Sequence, residues 1–222
     1  MLILTIETST PVERVAVVSD GRVLAELSET VGRGHTEKLL GAVESVLSRS
    51  AVRAGDLDAI GVSIGPGRFS GLRVGLATAK GLAAASRVPV VPVETLAALA
   101  ESARPHEGLV CPMLDARKGE VYAALFRLDT RRERLLPDVA VAPTEMLERV
   151  REAAGEEAVL FLGSGASACR DEIASTLGAG ALFADAPVEA PDPAALASLA
   201  AELELPDPSE AATLEPVYLR GI

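Results

Sequence analysis

Four polar residues that follow the first predicted strand could bind a phosphate group. Glu7, Thr8, Ser9 and Thr10 come directly after the apolar run 2–6. Their hydroxyl and backbone N–H groups could cradle an anion at the end of that strand. The other interpretation is a hydroxyl-rich turn without a ligand. The residue types by themselves leave both interpretations open.

Two further positions could take part in nucleotide chemistry. Asp115 ends a predicted strand, where a carboxylate can serve as a general base or a magnesium ligand, although a turn-forming aspartate is common there. Gly163 and Gly165 follow another strand. They could let a nucleotide approach a helix N-terminus or simply form a tight turn. None of these features is enough by itself to indicate an active site. We therefore predict no catalytic residue in this chain.

The histidines and serines do not form a recognisable catalytic or metal-binding group. His35 lies at the start of a predicted helix, but a metal-binding pair on one helix face needs a second ligand four residues later, and that position is Leu39. His106 lies in a predicted loop. The stretch 163–165 is too short to be the Gly-x-Ser-x-Gly elbow of a serine hydrolase. The sequence therefore predicts neither a metal site nor a serine nucleophile.

The composition favours a cytoplasmic protein that does not hold nucleic acid alone. The 222 residues are 49% hydrophobic and 24% charged, an ordinary globular composition. The formal net charge of −11 disfavours binding to a phosphate backbone, and 3% aromatic residues disfavour a base-stacking platform. Cys111 and Cys169 show no Cys-x-x-Cys spacing, and no apolar run is long enough to span a membrane.

The order of predicted elements indicates an α/β fold with mixed sheets and two similar halves. In residues 1–104, strands joined by an Asp20-Gly21 hairpin turn precede alternating helices and strands. A polar loop between Pro105 and Gly108 marks the boundary. Residues 105–222 then restart the order of strand, turn, strand, strand, helix, strand and glycine turn. We expect the Pro-rich tail to pack back on the first half.

The stretch 65–75, Gly-Pro-Gly-Arg-Phe-Ser-Gly-Leu-Arg-Val-Gly, joins a predicted strand at 57–64 to a helix that ends near residue 86. Its glycines suit a tight turn, and Ser70 or the loop before it can cap the helix. Small residues then recur every four positions, at Gly71, Gly75, Ala79 and Ala83. This smooth helix face either packs on the protein's own sheet or receives another backbone.

Five motifs together resemble the TsaB family (formerly YeaZ), the bacterial subunit of the tRNA threonylcarbamoyladenosine machinery. They are the glycine turn at 65–75, Asp-Ala-Arg-Lys-Gly-Glu-Val-Tyr at 115–122, and the stretches 6–10, 35–40 and 216–220. The match covers most of the chain. Arg68 stands where the family's motif has a small hydroxyl residue.

The resemblance implies an actin/Hsp70/sugar-kinase type of fold with two related α/β lobes. It also implies kinship with TsaD, a catalytic subunit that binds metal through a His-x-x-x-His motif. Since Leu39 replaces the second histidine, this chain resembles a non-catalytic relative. The implied partner surface lies on the helices near 35–50 and 70–86. Its residues would be His35, Leu39, Arg68, Phe69, Gly71, Leu72, Gly75 and Ala79.

The resemblance further implies a scaffold and activator that binds TsaD, recruits the ATPase TsaE and supports threonylcarbamoyl transfer to N6 of an adenosine beside the anticodon. This chain would need no cofactor and would contact tRNA only indirectly. ATP or ADP could bind at the complex, with residues 7–10, Asp115, Gly163 and Gly165 as a degenerate nucleotide site. Alone, the chain could form a homodimer. The alternatives are a stand-alone ATP-dependent phosphotransferase and a metallopeptidase-like protein.

Overall fold

A computed structural model describes residues 1–30, 38–184, 186 and 188–219. His35 therefore lies outside the described residues. The chain divides into two compact units: unit 1 is Met1–Ala98 with Pro191–Val217, and unit 2 is Leu99–Ala190 with Tyr218–Ile222. The boundary between the units lies between residues 98 and 99, inside the helix Thr95–Glu101, and not at the predicted residues 104 and 105.

The helices and strands alternate along most of the chain. In chain order they are β1 (Leu2–Glu7), β2 (Val12–Ser19), β3 (Arg22–Thr30), α1 (Leu39–Ser50), β4 (Ala59–Gly65), α2 (Phe69–Ser86), β5 (Val90–Glu94), α3 (Thr95–Glu101), β6 (Gly108–Arg117), β7 (Glu120–Leu128), β8 (Arg132–Val141), α4 (Pro143–Ala154), β9 (Val159–Leu162), α5 (Ser164–Ala168), α6 (Arg170–Leu177), β10 (Ala181–Phe183) and α7 (Pro193–Glu202). A 3-10 helix at Pro208–Thr213 follows α7. The three-residue strand β10 was not predicted.

Unit 1 contains a five-stranded mixed sheet in the order β3-β2-β1-β4-β5. Strand β1 is antiparallel to β2 and parallel to β4. The β2–β3 turn at Asp20 and Gly21 has φ values of 47° and 79°, which are typical of a type I′ hairpin. This turn was predicted from the sequence.

The pleat of β4 gives the sheet of unit 1 two different faces. Ile60 and Val62 are buried in a cluster with residues of α1 and α2. Gly61, between them, points to the opposite face, where an added Cβ would lie 2.9 Å from Leu196 Cδ2 of α7. The glycine therefore lets α7 pack closely against the sheet.

Unit 2 repeats this architecture in a sheet of order β10-β9-β6-β7-β8. Strand β6 is antiparallel to β7 and parallel to β9, as β1 is to β2 and β4. Its core includes Leu109, Met113, Phe161 and Ile173. The repeated order of pairing confirms the prediction of an α/β fold with mixed sheets and two similar halves.

Helix α2 begins and ends without a side-chain cap. Arg68 is its N-cap residue and makes no capping hydrogen bond through its side chain. The prediction that Ser70 could cap the helix is wrong, because the helix begins at Phe69 and Ser70 lies inside its first turn. The helix ends at Ser86, and the next residue, Arg87, adopts a left-handed conformation with a φ of 59°.

Candidate functional site

The turn after β1 is closed around a buried carboxyl group. Glu7 is 1% exposed and accepts a hydrogen bond from the Ser9 backbone N–H at 2.6 Å. The hydroxyls of Ser9 and Ser63 also donate to this carboxyl. Burial raises the pKa of Glu7 above its ordinary value, although the hydrogen bonds from the two serines act in the opposite direction.

The glycine turn before α2 and the first turn of that helix form hydrogen bonds with Thr8 and Ser9. The Thr8 hydroxyl donates to the Gly71 carbonyl at 2.8 Å. The Arg68 backbone N–H donates to the Ser9 carbonyl at 2.7 Å. Thr8, Ser9 and Thr10 are all buried, so their hydroxyls serve the fold of unit 1. This arrangement is that of a hydroxyl-rich turn, and the binding of a phosphate group there stays a prediction.

The first glycines of the 65–75 stretch are required by close backbone contacts. Gly65 has a φ of +118°, and an added Cβ there would overlap the Val217 carbonyl. An added Cβ on Gly67 would overlap the Ser9 carbonyl. The Val217 N–H also donates to the Ile64 carbonyl at 2.7 Å. The turn is thus packed between the segment after β1 and the tail of unit 1.

The small-residue face of α2 packs inside unit 1. Gly71, Leu72, Gly75 and Ala79 are all buried. An added Cβ on Gly71 would overlap the Thr8 carbonyl, and one on Gly75 would overlap the Thr8 hydroxyl. The expectation that these four residues themselves contact a partner is corrected here, because this face is occupied by the turn after β1. Leu39 of α1 is fully buried as well, which excludes it from a surface contact.

The opposite side of α2 is exposed, and of its residues Phe69, Arg73, Ala77 and Gly81 the sequence reasoning singled out Phe69 alone. Phe69 is 44% exposed, and the Arg73 guanidinium carbon lies 4.0 Å from the centre of its ring. Ala77 and Gly81 follow on the same side and are exposed. The available signal was the spacing of four residues that places Phe69, Arg73, Ala77 and Gly81 on one side of the helix, the last two of them small.

Helix α1, which contacts α2, also has exposed apolar residues. Leu40 is 53% exposed, and Gly41 next to it is exposed too. The two helices contact each other within unit 1. We call the exposed residues Leu40, Gly41, Phe69, Arg73, Ala77 and Gly81 the α1–α2 outer face. Of the predicted partner residues, this face keeps Phe69, and half-buried Arg68 lies at the start of the same helix.

The candidate nucleotide residues of unit 2 also have local structural roles. The carboxyl group of Asp115 accepts the Arg117 backbone N–H at 2.7 Å, as a turn-forming aspartate does. Gly163 has a φ of +101°, and an added Cβ there would overlap the Met113 carbonyl. An added Cβ on Gly165 would lie 2.9 Å from the Leu114 carbonyl carbon. These glycines let α5 pack directly against β6.

Replacing Asp115 tests whether it does more than shape its turn. We expect Asp115→Ala to lower the free energy of unfolding by about 1 kcal/mol, the usual worth of one exposed side-chain hydrogen bond. Urea denaturation measures this value. A larger loss, or a change in nucleotide binding measured by calorimetry, would contradict the purely local role.

The part of the chain that the structure describes contains neither a candidate metal cluster nor a membrane-spanning helix. There, no group of three or more His, Cys, Asp and Glu side chains could hold a metal ion. Cys111 and Cys169 are free thiols, and burial raises the pKa of both. No helix among the described residues has the length and apolar character needed to cross a bilayer.

Comparison with known proteins relates the chain to tRNA modification proteins. Residues 27–217 match the family described as TsaD, tRNA N6-adenosine threonylcarbamoyltransferase. The TsaB protein of Bacillus subtilis, a tRNA threonylcarbamoyladenosine biosynthesis protein, is 34% identical over 200 residues, which cover 90% of this chain and 86% of that protein. The Escherichia coli TsaB is 38% identical over 131 residues, 58% of this chain and 56% of that protein.

A solved structure agrees with these sequence matches. YeaZ from Pseudomonas aeruginosa superimposes with a TM-score of 0.78 and 29% identity, covering 98% of this chain and 99% of that one. A second Pseudomonas aeruginosa structure, of an uncharacterized protein with similarity to peptidase YEAZ, gives a TM-score of 0.81 and 29% identity, with 99% of each chain covered. On the combined evidence of sequence, fold and motifs, the chain belongs to the TsaB (YeaZ) family.

Proposed function

We propose that this chain takes part in tRNA threonylcarbamoyladenosine biosynthesis as a non-catalytic scaffold and activator. It binds a TsaD-type transferase through the α1–α2 outer face, and TsaE joins the resulting complex. Family membership supports the role in this modification. The observation that carries the scaffold role is the division of α2 into a buried face and an exposed face with Phe69, Ala77 and Gly81.

The chemistry of the outer face favours a protein partner. Its small residues let another helix approach closely, and its large apolar groups, Leu40 and Phe69, gain stability when they leave water. Arg73 over the Phe69 ring supplies an aromatic and arginine pair of the kind enriched at interface centres. A net charge of −11 opposes direct binding of tRNA. We therefore expect the other subunits of the complex to bind the tRNA.

The proposal requires no cofactor in this chain. The hydroxyls of Thr8 and Ser9 and the carboxyl of Glu7 make hydrogen bonds within unit 1, which supports placing ATP or ADP at the complex and its other subunits. It also disfavours the alternative of a stand-alone phosphotransferase. Steady ATP turnover by the pure chain would favour that alternative and contradict the scaffold proposal.

One substitution tests the outer face directly. We expect Ala77→Arg to weaken the complex with TsaD from the same source by about a hundredfold, because a long charged side chain would separate the two surfaces at their centre. Size-exclusion chromatography with light scattering detects the complex, and titration calorimetry gives its Kd. The matched control is Ala153→Arg, on an exposed position of α4.

The two variants are expected to differ in their binding to TsaD. Ala153→Arg should bind TsaD like the parent, and both variants should keep the parent's circular dichroism spectrum. With purified TsaD, TsaE, ATP, tRNA and threonylcarbamoyl adenylate as the donor of the group, only Ala77→Arg should lose formation of the modified adenosine. An Ala77→Arg chain that binds TsaD as tightly as the parent would exclude the outer face as the interface.

A further inference from the structure

Helix α2 lies in the longest stretch of the chain without an acidic residue. Residues 59–93 contain Arg68, Arg73, Lys80 and Arg87 but no aspartate or glutamate, whereas the whole chain has 32 acidic and 21 basic residues. At an ionic strength of about 0.15 M, exposed charges act over roughly 8 Å. A group close to this helix therefore responds to its positive charges more than to the net negative charge of the protein.

The four basic residues of this stretch differ in their surroundings. Lys80 donates to the Ala212 carbonyl at 3.0 Å, which holds its ammonium group against the 3-10 helix. Arg87 follows the last residue of α2, and half-buried Arg68 precedes the first. Arg73 is exposed and belongs to the α1–α2 outer face. Since helix α1 contributes one acidic and one basic residue, the arginines of α2 give the described part of this face its positive charge.

The geometry of Arg73 suits it to bind a carboxylate group. Its guanidinium carbon lies 4.0 Å from the centre of the Phe69 ring. Stacking of this kind uses the flat face of the guanidinium, whereas its five N–H groups point outward in the plane. A carboxylate can accept two of these N–H groups at once. The Phe69 ring thus orients a planar cation whose donors lie around its edge.

A partner that covers the outer face removes Phe69 and Arg73 from water together. The apolar ring gains stability from this burial, whereas a buried charge costs free energy unless an opposite charge pairs with it. We infer, on the basis of the proposed function, that the TsaD-type partner carries a carboxylate group opposite Arg73. This pair also selects the binding face, because a partner surface with a basic group at this position is repelled.

The dependence of the affinity on salt tests this inference, since salt screens an ion pair and leaves an apolar contact in place. Titration calorimetry gives the Kd of the complex with TsaD in about 0.05 M and about 0.5 M salt. Arg73→Gln should weaken binding about tenfold at the lower salt concentration and less than about threefold at the higher one. At the lower concentration Arg73→Glu should weaken it about a hundredfold. Arg73→Lys keeps the charge but not the paired hydrogen bonds, so its loss should be smaller than that of Arg73→Gln.

A control variant separates this pair from the general effect of charge on binding. Arg151→Gln removes an exposed positive charge from α4 and should keep the parent's Kd at both salt concentrations. The variants at Arg73 should keep the parent's circular dichroism spectrum and unfolding temperature, because this side chain is exposed.

Two results would overturn the inference while the proposed function stands, because the parent would still bind TsaD. One is an unchanged Kd in Arg73→Gln. The other is a loss of the same size at both salt concentrations, which would come from a displaced Phe69 ring and not from a lost ion pair. If the parent itself formed no complex with TsaD, the proposed function and the inference would both fail.

Discussion

Gly75→Leu is expected to unfold or severely destabilise the protein, lowering the free energy of unfolding by at least about 3 kcal/mol. The reason is steric: an added Cβ alone would lie well inside 3.0 Å of the Thr8 hydroxyl. That hydroxyl is buried and bonded to the Gly71 carbonyl, so it cannot move aside without losing its partner. Urea denaturation followed by circular dichroism measures the change.

A matched control on the same helix should change stability in the opposite direction. Nothing lies within 4 Å of a Cβ added to Gly81, so Gly81→Ala should raise the free energy of unfolding by about 0.5–1 kcal/mol through helix propensity. A Gly75→Leu chain as stable as the parent would contradict the packing described for α2. Loss of TsaD binding in Gly75→Leu would not identify an interface, because the fold itself would be damaged.

Glu7→Ala is expected to lower the free energy of unfolding by about 3–4 kcal/mol, since it leaves several buried donors without an acceptor. These donors are the Ser9 N–H and the hydroxyls of Ser9 and Ser63. The control Glu44→Ala removes an exposed carboxylate from α1 and should change stability by less than about 0.5 kcal/mol. Equal effects of the two substitutions in urea denaturation would contradict the structural role of Glu7.

The same carboxyl group should make stability depend on pH in a defined direction. Burial raises the pKa of Glu7 in the folded state, so the folded protein binds this proton more tightly than the unfolded chain does. Its contribution is therefore complete below the unfolded pKa of about 4.3 and is lost as pH rises through the folded pKa. The stability of the parent minus that of Glu7→Gln should thus fall with increasing pH. A difference that rises with pH would contradict the raised pKa.

The sequence by itself determined the α/β class, the repeated order of elements and the family. Apolar periodicity and turn residues are local signals, so the Asp20-Gly21 hairpin and the strand, turn and helix around 65–75 could be predicted from neighbouring residues. The motif at 65–75 also carried the family resemblance. The boundary between residues 98 and 99 could not be read from the sequence, because it depends on contacts with distant strands and not on the local turn signal of Pro105 and Gly108.

Only the tertiary structure decided which face of α2 is exposed to solvent. Both faces carry small residues at helical spacing, and the sequence cannot show that the Thr8 carbonyl occupies the side of Gly71 and Gly75. Likewise, the sequence cannot show that Ser63, 56 residues later, donates a hydrogen bond to the Glu7 carboxyl. The physical reason is the same in both cases: a polar group or a smooth surface gains its role from a partner that the chain brings near only when it folds.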